Sequence, residues 1–244
     1  MKRVFTNSMG RNLFGALALL ILIFASGESF GQGNFQSNGT GNWTNAGIWN
    51  LVSGVDADGI PDADDNVTIL NTHTVSVSNG GGGPTTHECN NITINNGGIL
   101  RNNSGTGIRS LNVYGTLTID NGGTYTLAST IGVVTHFLNL RGDFVNNGTF
   151  TSQVGNSSLQ VTFSGTTQSI SGSSASTFRN VIIATGSTTV ANSTTTVATD
   201  LTIQNGASFE VPAISFTVNG TTTIGGGTSG SFLLSSTTGT KRFD

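Results

Sequence analysis

One pattern recurs along this chain and limits what it can fold into: a short alternating strand, a corner of Asn and Gly, and a second short strand. ITINNGGIL runs from Ile92 to Leu100 and LTIDNGGTYTL from Leu117 to Leu127. FVNNGTFT (Phe144 to Thr151) is a shorter copy and LTIQNGASFEV (Leu201 to Val211) a close one, while VIIATGSTTV (Val181 to Val190) keeps the pattern with fewer identities. Neighbouring copies lie roughly 20 to 27 residues apart, the spacing of solenoid coils.

The pattern has a physical reason. In the first copy Ile92 and Ile94 share one strand face and Thr93 takes the other. A strand this short cannot bury an apolar face alone. Stacking equivalent strands at ~4.8 Å closes the backbone hydrogen bonds between coils and builds a shared interior. Glycine allows the positive φ that a sharp corner needs, and asparagines at equivalent corners can stack their amides. The expectation is an all-β parallel β-helix (solenoid). An antiparallel β-sandwich is the alternative, because Asn-Gly also favours hairpins. Likeness between units, rather than pairing within them, favours the solenoid.

Composition agrees with strands and turns. Charged residues make up only 9% of the chain, and there are 35 glycines but 3 prolines, against a usual charged share of about 25%. Regularly placed Val, Ile, Leu and Phe, with abundant threonine, argue against disorder.

Three regions are expected. Residues 1–31 resemble an export signal: Lys2, Arg3 and Arg11 precede an apolar run from Leu13 to Ala25 and a small-residue stretch ending at Gly31. That run falls short of the ~20 residues needed to span a bilayer, so cleavage is expected, after Gly27 or, preferably, after Gly31, which leaves Gln32 as the new N-terminus. Residues 32–65, with Trp43, Trp49 and an acidic loop, read as an N-terminal cap. Residues 66–244 read as β-helix repeats that stop in mid-repeat at Asp244.

Beyond Gly31 six Arg and Lys residues face eleven carboxylates. With no basic stripe, nucleic acid is a poor partner. With no second apolar segment, no transmembrane span is expected in the mature chain. Cys89 is the single cysteine, so no internal disulfide can form, and a small buried core residue is expected there.

NWTNAGIWN followed by IPDADDNVTI, carrying Trp43, Trp49, Pro61, Asp65, Val67 and Ile69, resembles the opening of glycine-rich β-helix repeat regions in large secreted adhesin-like proteins of Bacteroidetes. The opening also faintly resembles the G8 domain. The resemblance implies a right-handed β-helix in an extracellular or cell-surface protein with a structural or adhesin-like role.

Chemistry is sparse. Asp56, Asp58, Asp62, Asp64 and Asp65 fall within ten residues around Gly59 and Pro61. Alternating aspartates in a turn can supply the oxygens that Ca2+ takes, and the stretch resembles the loops of thrombospondin type 3 repeats. A solvated acidic turn is the alternative. The remaining carboxylates are widely separated, although Asp120 and Asp143 lie near one coil apart. No lysine occurs between Lys2 and Lys241, and no enzyme is expected. His73, His87 and His136 lack metal-site spacing, although His87-Glu88-Cys89 is a tempting triplet. Carbohydrate binding or polysaccharide processing along the helix face is the alternative function, with Trp43, Trp49, Tyr114 and Tyr125 as stacking platforms. Extracellular glycans or surface proteins are the partners either function would meet.

Overall fold

The computed structural model describes residues 31–78, 86–103, 107–212, 214–225, 230–234 and 241–243. The expected leader up to residue 30 and the glycine loop expected from Asn79 to Pro84 lie outside them. The described chain is a parallel β-solenoid, and each full coil contributes one strand to each of three faces.

Face one is a ten-stranded sheet. Its column of Val67, Ile92, Leu117, Phe144 and Ile170 is paired in parallel, with successive intervals of 25, 25, 27 and 26 residues. The same sheet continues through Thr188–Ala191 and Ser208–Val211 to Ser231–Leu234. Face two begins as a five-stranded sheet containing Thr74–Val77, Ile99–Asn102 and Thr124–Leu127, and is taken over by a four-stranded sheet starting at Ser176–Phe178. Face three holds Thr86–Cys89, Ser110–Val113, Val134–Leu140, Ser157–Phe163, Asn180–Ile183, Leu201–Ile203 and Thr222–Ile224. All pairings between successive coils are parallel, which rejects the antiparallel sandwich.

Strand alternation decides the interior. Ile92 and Ile94 are fully buried, as are Leu117, Ile119, Leu140, Phe163, Ile183 and Ile203 from faces one and three. Thr93 and Thr118 between them point outward and are partly exposed. Each coil alone is too thin to hide its apolar side, so stability comes from stacking neighbours.

The repeat unit differs from its sequence outline in two ways. It has three strands, not two. The similar strings Leu117 to Leu127 and Leu201 to Val211 also occupy different corners. The first turns from face one to face two, whereas the second turns from face three to face one. Positive-φ glycines move with the motif: Gly97 and Gly122 sit at the first kind of corner, Gly186 and Gly206 at the second.

The segment expected as a cap also supplies the first layer. Asn34–Ser37 pairs in parallel with Asn66–Ile69, and Gly41–Asn42 with Thr74–Val77. The capping strand itself is Trp49–Ser53, which runs antiparallel to Asn34–Ser37 and ends the ladder. Trp43 and Trp49 meet edge to face at 5.2 Å, and Phe35 meets Trp49 at 6.5 Å. Their indole N–H groups donate to Pro61 O (3.3 Å) and Trp43 O (2.8 Å) respectively. Bulky rings with their polar ends satisfied close the first coil against water.

Candidate functional site

The acidic loop packs beside this cap. Asp65 immediately precedes the Asn66–Ile69 strand, and that position turns its carboxylate inward, leaving it only 2% exposed. Its Oδ1 accepts from Gly33 N–H at 2.6 Å and its Oδ2 from Asp62 N–H at 2.9 Å. A Cβ on Gly33 would come within 2.7 Å of that same Oδ1, so only glycine fits this close approach. Asp65 thus ties the start of the solenoid to its first complete coil.

Asp56, Asp62 and Asp65 each place an oxygen within 4.8 Å of the others. Asp58 and Asp64 are not part of this group. Asp58 accepts from Ile60 N–H, and Asp56 accepts from the N–H groups of Asp58 and Gly59, which is turn chemistry. Burial raises the Asp65 carboxyl above its ordinary value. The bonds from Asp62 and Gly33 lower it, and the Asp62 and Asp56 charges add to the rise. The five-aspartate expectation therefore contracts to three carboxylates, whereas calcium takes six to eight oxygens. All three already serve the backbone, Asp62 by accepting from Asp64 N–H at 3.1 Å, so water would have to supply much of any coordination shell.

The stacking platforms that the alternative carbohydrate reading would use are mostly buried. Trp43, Trp49 and Tyr125 are buried, at 1%, 7% and 0% exposure. Tyr125 donates its hydroxyl to Asn102 Oδ1 at 2.9 Å inside the core. Of the four rings, only Tyr114 reaches the surface.

The His87-Glu88-Cys89 triplet is divided by strand alternation. His87 and Cys89 point inward, and Glu88 points out. Burial, with a smaller contribution from the Arg109 charge, lowers His87 to about 4. His136 is lowered to about 4 for the same reasons, and its Nδ1 accepts from Arg109 N–H at 3.1 Å. The buried Cys89 thiol is held protonated, chiefly by desolvation. Asp120 and Asp143 do not align either. Asp120 follows the strand Leu117–Ile119, whereas Asp143 precedes Phe144–Asn146 and accepts from Ser169 N–H at 2.7 Å.

Among the described residues no helix is long and apolar enough to cross a membrane. No family model, curated protein or solved structure matches this chain.

Proposed function

We propose that this chain is a secreted or cell-surface structural protein, adhesin-like and without catalytic work of its own. The observation that carries the proposal is the use of its larger aromatic and aliphatic side chains. Phe35, Trp43, Tyr125, Phe144, Phe163, Phe178, Phe209 and Phe216 all fill the solenoid interior. What remains outside is chiefly Thr, Asn and Ser, with a few exposed aliphatic side chains such as Val55, Ile131 and Val133. Apart from the acidic loop, the carboxylates are spread over separate corners and strands. Nine parallel strands on face one at ~4.8 Å each make a rod of roughly 40 Å. Such a rod holds whatever adjoins it at a fixed distance, and it needs no disulfide to stay folded. The positively charged, apolar start of the sequence supports export.

Fractionation of cells producing the full chain with a C-terminal epitope, followed by protease shaving of intact cells, tests the assignment. Epitope in the medium, or lost on shaving, is the expected result. Epitope retained in the cytoplasm with an unprocessed N-terminus would overturn it.

A further inference from the structure

The outward side of face three carries a polar cleft built by side chains of successive coils. A cleft of about 360 Å3 is lined by Asn112, Tyr114, Asn139, Arg141, Thr162 and Ser164. These residues come from three successive coils, brought side by side by the register Asn112↔Asn139↔Thr162. Glu88 lies one coil further along the same column, opposite Asn112.

Hydrogen bonds give the row a direction. Asn139 Nδ2 donates to Asn112 Oδ1 at 2.8 Å, and Asn112 Nδ2 donates to Glu88 Oε1 at 2.8 Å. The Tyr114 hydroxyl donates to the same Oε1 at 3.0 Å. Donors are thus turned toward Glu88, and the Asn139 carbonyl oxygen is left open at the other end. Above the Tyr114 ring, 4.6 Å from its centroid, stands the Arg141 guanidinium. Among the described residues nothing forms a hydrogen bond or ion pair with that guanidinium.

We propose that this cleft binds a carboxylate-bearing saccharide, with the carboxylate on Arg141 and the sugar hydroxyls along Asn139, Asn112 and Glu88. The guanidinium fork matches a carboxylate, and the ring beneath it fixes the fork's plane. Amides, which donate and accept, and a carboxylate, which accepts, suit hydroxyl groups. A peptide is a poorer fit, because the backbone of face three is already paired on both sides here and offers no strand edge. Nucleic acid is disfavoured by the lone cation and by Glu88. The site is independent of the export assignment. Binding by the purified chain does not depend on where cells place it, so either proposal can fail alone.

Calorimetric titration of the full chain with trigalacturonate, its neutral galactose counterpart and acetate tests the site. The acidic trisaccharide should bind, and the neutral one at least about tenfold more weakly, as expected when one charge-assisted contact is lost. Acetate at equal concentration should not compete. Arg141→Gln should cost about the same tenfold, Arg141→Lys should recover part of it, and Asn139→Ala should weaken binding severalfold. Arg141 is exposed, so these variants should fold, and matching thermal melts would confirm it. No binding of trigalacturonate at millimolar concentration would overturn the proposal. So would equal affinity for the neutral sugar, full competition by acetate, or undiminished binding by Arg141→Gln.

Discussion

Residues 66–150 and residues 176–225 build the same three-faced coil with different amounts of chain. Registers in the first region advance by 24 to 27 residues per coil, and in the second by 19 to 21. Much of the difference lies at the corner between faces two and three. Leu127 to Val134 bridges it in the longer coils, whereas Val197 to Leu201 suffices in the shorter ones. The longer coils also add amide contacts between layers. Asn66 accepts from Asn91 at 2.8 Å, and Asn91 in turn accepts from Thr116 N–H at 2.7 Å. In the shorter coils the comparable ties are exposed: Asn180 accepts from Asp200 N–H at 3.4 Å, and Gln204 from Thr185 N–H at 3.0 Å.

The change-over has a local cause. Asn146 occupies the inward column after Ile94 and Ile119, fully buried. It cannot be left unsatisfied there, and it donates to Ala175 O and Ser176 Oγ, both at 3.1 Å. Gly172, at φ 113, lies so close that a Cβ would strike the Asn146 backbone. At this point face two passes from one sheet to the other, and the rings of Phe144, Phe150 and Phe178 fill the seam at centroid distances of 5.0 to 5.2 Å. Two coil designs can therefore share one core, provided that the join is packed with aromatics and its polar groups are paired.

The strongest way to break the comparison is to empty the seam. Phe178→Ala removes a fully buried ring and should cost about 3–5 kcal/mol. Calorimetry should then show the long-coil and short-coil regions melting in separate steps rather than together.

Acid should separate the regions as well, because His87 and His136 both belong to the long coils. Their folded values of about 4 lie below the ordinary 6.5. The unfolded chain therefore binds protons first, so stability is full above pH ~6.5 and falls as pH drops from there toward ~4. A Tm lower by several degrees at pH 4.5 than at pH 7 is expected, with a flatter profile in His136→Gln.

A smaller effect distinguishes the corners. Asn91→Ala abandons Thr116 N–H and should cost about 1–2 kcal/mol. Gln204→Ala loses an exposed bond to Thr185 N–H and should change urea stability by less than about 0.5 kcal/mol. Equal losses would remove the distinction between part-buried and exposed ties.

The smallest change is a gain. Thr72 is held at φ 68, and through Thr72 N to Gly97 O and Gly97 N to Gly122 O it occupies the place that glycine takes in the next two coils. Thr72→Gly should relieve left-handed strain and, net of the entropy of glycine, stabilise by about 0.5–1 kcal/mol in urea unfolding.

Much of the fold was legible because alternation and glycine corners are local signals. Ile92, Ile94, Leu117 and Ile119 point inward as their spacing demands, and Trp43 and Trp49 close the end. The third strand was harder to see. Val134–Leu140 has no Asn-Gly corner beside it. The Leu201 string misled for a related reason: a positive-φ glycine can serve at more than one kind of corner, so similar residues recur at different corners. Three aspartates of five converge because only Asp65 is anchored to a strand and drawn inward. Glu88, Asn112, Asn139 and the Tyr114–Arg141 pair lie 24 to 27 residues apart. Nothing local joins them, and only the coil period could have done so.

The strands run across the long axis of the solenoid, and its first and last layers stand at opposite ends of face one. Tension between those ends would therefore peel ladders open one layer at a time instead of shearing all of them together. Each freed coil of 25 residues would release about 85 Å of extended chain. Under load the molecule would lengthen in discrete steps, dissipating force while the layers not yet reached stay folded.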